Sequence, residues 1–126
     1  MSKVFKPTES ELEILSILWE KQNATVREVH RVVQLTKDIG YTTTLKLMQI
    51  MHEKGLVTRD ESSKTHIYTP CFNKEKAQEQ YIGKMIKTLF SGSTSQLVMQ
   101  ALGNHNPSQH DLNEIKQLIK QLENGK

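Results

Sequence analysis

TTTLKLMQIMHEKGLV, residues 42–57, changes its periodicity at a glycine. Before Gly55 it has a helical repeat. At about 100° per residue, Leu47, Met48 and Met51 fall on one side, and Thr42, Lys46, Gln49 and Glu53 on the other. Thr42 or Thr43 is the expected N-cap, because a side-chain hydroxyl can accept from the free N–H groups of the first turn. Gly55 ends the helix, and an alternating stretch follows at once.

The flanking residues extend this pattern. Upstream, Thr8 and Glu11 have the spacing of a capping box, and Leu12, Ile14, Leu15, Ile17, Leu18 and Trp19 form a band wide enough for a central core helix. TVRE, residues 25–28, repeats the device, with Val26, Val29 and Val33 as the buried stripe. Downstream, LVTRDESSKTHIYTP reads as two short strands around a polar turn at Glu61–Lys64, with Pro70 closing the second. Three helices followed by a hairpin is the order of a winged helix-turn-helix domain, which places its third helix in the major groove and its hairpin along the backbone. The expected architecture is therefore mainly α with a small β-hairpin: a winged domain over residues 1–72 and a helical dimerisation region over 73–126.

On this reading the polar face of the third helix meets double-stranded DNA. Thr42 and Thr43 offer hydroxyls beside a helix N-terminus, which favours anions. Lys46 suits a phosphate or a guanine edge, and Gln49 suits adenine. Glu53 is repelled by phosphate and belongs at the end tilted away from the duplex. In the wing, Lys64 and His66 are the candidate phosphate contacts, offset by the neighbouring Asp60 and Glu61. The competing reading is a solvated face with capping threonines, on a winged domain that binds protein rather than DNA.

Composition narrows the other possibilities. The chain has 126 residues, 36% of them hydrophobic, with a net charge of +3 and a pI near 9.0. That is a small core and a mildly basic surface, compatible with nucleic acid. One cysteine, Cys71, excludes an internal disulfide, and neither a membrane-length apolar run nor a signal-peptide pattern is present. A cytoplasmic protein is expected. HEKGL at His52–Leu56 lacks the second histidine of a zinc-protease motif, Cys71 has no recognisable histidine partner, and His105 and His110 flank a loop. Neither catalysis nor a metal or other cofactor is expected.

The last third is helical and strongly amphipathic. Ala77, Tyr81, Ile82, Met85, Ile86, Leu89 and Phe90 form one stripe that ends at Gly92. Ser93 caps a short segment carrying Leu97, Val98, Ala101 and Leu102, which Gly103 is expected to end. Pro107 and Ser108 open a last helix with Leu112, Ile115, Leu118, Ile119 and Leu122. Helices of this size cannot bury that surface among themselves, and two-fold pairing is the commonest solution. A homodimer is expected; the alternative is that these helices fold back onto the winged domain.

TESELEILSILWE, together with YTTTLKLMQIMHEKGLV, resembles the BlaI/MecI/CopY family of bacterial repressors, the penicillinase repressor-like proteins. The resemblance rests on Glu11, Ile14, Leu15, Leu18 and Trp19, and on Tyr41, Thr42, Thr43, Lys54, Gly55, Leu56 and Val57. It implies a homodimer on an inverted-repeat operator, often upstream of antibiotic-resistance genes. Ile50 stands where many relatives have arginine, Thr44 where valine is frequent, and Lys46 where threonine is common, so the operator is expected to differ. The tail QLENGK has no cysteine, so copper sensing is not supported. The resemblance also implies a membrane sensor-protease, acting directly or indirectly, with cleavage near Gln100–Ala101. Relatives carry Asn-Phe there. A metal- or ligand-responsive regulator is the remaining alternative, although the sequence shows no pocket-forming constellation for an inducer.

Overall fold

A computed structural model of the chain describes residues 6–125. Its elements are α1 (Glu9–Lys21), α2 (Val26–Val33), α3 (Tyr41–Glu53), β1 (Val57–Asp60), β2 (Ile67–Pro70), α4 (Lys74–Thr88), α5 (Thr94–Asn104) and α6 (Gln109–Asn124). The chain divides into two compact units, Met1–Tyr81 and Ile82–Lys126, and the division falls within α4.

Both capping boxes form. Thr8 Oγ1 accepts from Glu11 N while Glu11 Oε1 accepts from Thr8 N, and Thr25 and Glu28 repeat the exchange. These bonds satisfy two otherwise free N–H groups at each helix start. The Thr25 N–H also holds the Glu28 carboxyl below the usual carboxylate range.

The core of the first unit joins Ile14, Leu15 and Leu18 of α1, Val26, Val29 and Val33 of α2, and Met48 and Met51 of α3. Leu56, Val57 and Tyr68 extend it under the hairpin. The third buried position of α3 is Thr44 rather than Leu47, which is only half-buried. Thr44 stands four residues before Met48 and seven before Met51, on the same stripe. Its hydroxyl is satisfied by a 2.8 Å hydrogen bond with His30 Nδ1. Ala77 corrects a second expectation: it is 1% exposed and packs with the first unit's core.

The C-terminus of α3 explains the change of periodicity at Gly55. Gly55 takes φ 79°, Leu56 N donates to Met51 O, and Gly55 N donates to His52 O. This is a Schellman ending, and its customary apolar contact partners, Met51 and Leu56, are both fully buried. At the other end the expectation of a threonine cap fails. The N-cap is Gly40, and no side chain caps the helix.

The hairpin is antiparallel, with Arg59 opposite Tyr68. Ala24 and Tyr68 exchange two backbone hydrogen bonds, so the α1–α2 connection pairs with the outer edge of β2. Trp19 Nε1 donates to Phe72 O at 2.8 Å, which fastens α1 to the chain leaving the hairpin.

In the second unit, Ser93 and Ser108 cap α5 and α6. Gly103 does not end α5, which continues to Asn104; a glycine near a helix end is tolerated at a cost of about 1 kcal/mol. The α4 stripe likewise outruns its helix, which stops at Thr88 before Leu89 and Phe90.

Glu11 is the one buried acid among the described residues, at 2% exposure. Besides the Thr8 N–H, its Oε1 receives Lys54 Nζ at 2.6 Å. Removing one partner of a fully buried pair costs roughly 3–5 kcal/mol. The Lys54 side chain keeps 34% of its surface in water, so Lys54→Met is expected to cost less, about 2 kcal/mol. Urea denaturation at fixed protein concentration measures this. An unchanged midpoint would show that the pair contributes nothing.

Candidate nucleic-acid interface

Because Thr44, Met48 and Met51 are buried, the opposite side of α3 faces outward. Thr42, Lys46 and Gln49 are all exposed and share that face, with Glu53 at its far end. Thr43 and Ile50 flank it. Thr43 is exposed but turned toward α1, where it lines a cleft, and Ile50 is half-buried with no hydrogen-bonding group. The centre of the face is therefore Thr42, Lys46 and Gln49.

The hairpin contributes through its tip. Lys64 is exposed and His66 half-buried, and both line a groove of about 240 Å³ against Tyr41, Leu45 and Arg27. Arg27 stacks its guanidinium over the Tyr41 ring, 5.5 Å from the centroid. Tyr41 also meets His30 edge-on, with centroids 5.7 Å apart. Arg27, at the start of α2, thus joins the start of α3 and the wing tip in one exposed groove. Nothing in the sequence pattern marked Arg27, because its place depends on how α2 crosses α3. A helical repeat shows only that it faces outward.

Charge at the wing is largely cancelled locally. Arg59 Nε donates to Glu61 Oε2 at 2.6 Å, and the Asp60 carboxylate accepts from Ser62 N. Arg59 holds the Glu61 carboxyl below the usual range, and the Ser62 N–H does the same for Asp60. Both acids stay ionised through neutral pH, and this loop stabilisation is lost only as acid protonates them below the ordinary carboxylate range. With Arg59 neutralised by Glu61, the cations available to an anionic partner around this groove and face are Arg27, Lys46 and Lys64.

A three-helix core, a hairpin paired to the α1–α2 connection and an outward third helix define a winged helix-turn-helix domain, here followed by a helical extension. The chain belongs to the penicillinase repressor family, whose model matches residues 7–121 and so spans both units. It is 21% identical over 126 residues to the penicillinase repressor of Bacillus licheniformis, covering 100% of this chain and 98% of that protein. Against the methicillin resistance regulatory protein MecI of Staphylococcus aureus (strain N315), identity is 20% over 118 residues, or 94% of this chain and 96% of the relative. The transcriptional regulator BlaI of Mycobacterium tuberculosis (strain CDC 1551 / Oshkosh) is 27% identical over 96 residues, covering 75% of this chain and 67% of its own length. Among solved structures, the solution structure of the DNA binding domain of the repressor BlaI superposes with a TM-score of 0.53. It is 20% identical and covers 60% of this chain and 93% of that one. The family and the winged fold expected from the sequence are both found. The relatives named here are regulators and repressors, not enzymes.

The groove gives a specific expectation. If Arg27 and Lys46 each neutralise one DNA phosphate, Arg27→Ala and Lys46→Ala each lower the slope of log affinity against log salt by about one. Fluorescence anisotropy with a selected duplex across a salt series reads this directly. Unchanged slopes in both variants would remove these residues from the interface.

Proposed function

We propose that the chain is a homodimeric transcriptional repressor that occupies an inverted-repeat operator in the cytoplasm, in a resistance or stress operon. The observation that carries the dimer is the state of the second unit. No described residue of α5 or α6 is buried, although both helices are capped and amphipathic. Leu89, Met99, Leu118, Ile119 and Leu122 are each between 49% and 72% exposed, and Tyr81 and Ile82 in the middle of α4 are more than 40% exposed. Met85, Ile86, Leu97, Leu112 and Ile115 are only half-buried. A lone exposed leucine is ordinary, but a whole unit without a buried side chain has no core of its own. A second copy of the same unit supplies one, and closed two-fold pairing is the commonest arrangement.

Dimerisation fits the winged face. Each α3 reads one half-site, and two linked half-sites lie roughly 34–36 Å apart or at multiples of that spacing. Linkage makes the second contact intramolecular, so affinity depends on the dimer. Repression is by occupancy: bound protein excludes transcription from the operator. The relatives' names, penicillinase repressor and methicillin resistance regulatory protein, support repression and resistance genes as the setting. A winged module that binds protein alone would lack the steep salt dependence of phosphate binding.

The paired substitution Leu118→Asp with Leu122→Asp tests the dimer. Both side chains are exposed in the single chain and lie outside the core of the winged unit, so a carboxylate there disrupts association and leaves the winged unit folded. Sedimentation is expected to shift from dimer to monomer, with operator affinity falling by about 100-fold or more. A wild-type chain that sediments as a monomer at micromolar concentration would overturn the assignment.

Inactivation by proteolysis completes the reading, with a membrane sensor-protease acting directly or through an intermediary. The Gln100–Ala101 bond lies inside α5, and both side chains are exposed. Asn104 Nδ2 donates to the Gln100 carbonyl and to its side-chain oxygen, each at 3.0 Å, so α5 must open locally before a protease can act. Cleavage there detaches α6 from α4 and divides the surface that pairs the chains. Mass spectrometry of protein from induced cells is expected to show fragments 1–100 and 101–126. An intact chain throughout derepression would reject proteolysis.

A further inference from the structure

The first unit holds a cleft for which the sequence shows no pocket-forming constellation. It measures about 390 Å³ and lies between α1, the end of α2, the α2–α3 connection and α3. Small-molecule sites typically begin at about 300 Å³. Its walls are Ile14 and Ile17 of α1, Val33 of α2, Leu35 and Ile39 of the connection, and Leu47 of α3. Leu35 is 79% exposed, and it continues a wall in which Ile17, Ile39 and Leu47 are half-buried. Hydroxyls of Ser10, Ser16, Thr36 and Thr43 also line the cleft.

The charges lining this cleft decide what kind of molecule suits it. Glu13 and Lys37 are the charged side chains among its lining residues, and they neutralise each other at 2.5 Å. A charged ligand would place its charge against apolar walls whose ionic neighbours already satisfy each other, and an uncompensated charge there is costly. An uncharged ligand leaves the pair intact, buries its apolar body against isoleucine, valine and leucine, and bonds one polar group to a hydroxyl. We propose that this cleft is an effector site for a small, uncharged, predominantly apolar molecule. An occupant touches α1, α2 and α3 together, and Thr43 and Leu47 belong to the helix that carries Lys46 and Gln49. Occupancy therefore favours one setting of α3 on its neighbours, and any difference between that setting and the DNA-bound one appears as a change in operator affinity. This coupling rests on the DNA-binding reading; the site itself does not.

The test titrates the full-length, methyl-labelled chain with 1-naphthol, using 1-naphthoate as its charged counterpart. Saturable NMR shifts are expected at the methyls of Ile14, Ile17, Ile39 and Leu47. Binding should weaken at least tenfold for naphthoate, and at least tenfold for naphthol in Leu35→Asp, whose exposed position keeps the fold intact. Absence of saturable shifts, equal binding of naphthoate, or shifts confined to Leu118 and Leu122 would overturn the site. Shifts at the same methyls that follow protein concentration without probe would assign the cleft to a second copy and equally overturn it. Saturating naphthol should then change operator affinity by about fivefold or more. Naphthol binding with operator affinity unchanged overturns the coupling. Failure of the DNA reading looks different: no operator complex forms with or without naphthol, while the methyl titration persists.

Discussion

A single carboxylate oxygen sets the frame of the winged unit. Glu11 Oε1 closes the capping box at the start of α1 and holds the ammonium of Lys54 at the end of α3. An acid at 2% exposure is very costly unless paired and hydrogen-bonded, and here both conditions are met by groups from two helices. Each charge also sits at the helix end that favours it, the anion at an N-terminus and the cation at a C-terminus. Apolar packing of Ile14, Leu15, Met48 and Met51 drives the helices together but carries little direction. The Glu11–Lys54 link adds direction at one end of α3, and the His30–Thr44 hydrogen bond adds it toward the other. The helix bearing Thr42, Lys46 and Gln49 is thereby held by polar contacts as well as by its greasy side.

How far the sequence revealed this depends on distance along the chain. The two capping boxes were legible because each is complete within four residues. Gly55 was legible because its ending needs only the last turn of α3 and Leu56. Val26, Val29 and Val33, with Met48 and Met51, appeared through simple periodicity. What escaped was set by crossings between elements. Thr44 was not read as a core position, because its partner His30 lies on another helix. Glu11 showed its local role in the cap, while its tie to Lys54, 43 residues away, left no local trace. Arg27 gained its place beside Tyr41 only from the crossing of α2 and α3. The apolar cleft arose the same way, because Leu35 and Ile39 lie in a connection with no period to read.

The two units contrast in how they are stabilised. The first buries a continuous cluster from Ile14 to Ala77, so its contacts are intramolecular and independent of how many copies surround it. The second leaves its apolar side chains half-buried or exposed throughout α5 and α6. In the proposed dimer, its structure and its association are the same event.

The bare second unit has a consequence for gene dosage. When a unit gains its core only from a copy of itself, stability cannot be separated from the number of chains in the cell. Well below the dissociation constant, halving the chain count leaves roughly a quarter of the dimers, since pairing is second order by mass action. In the proposed dimer, growth without synthesis erodes operator occupancy faster than it dilutes protein. Synthesis restores it just as steeply, so under that proposal the controlled genes respond to chain concentration more than proportionally.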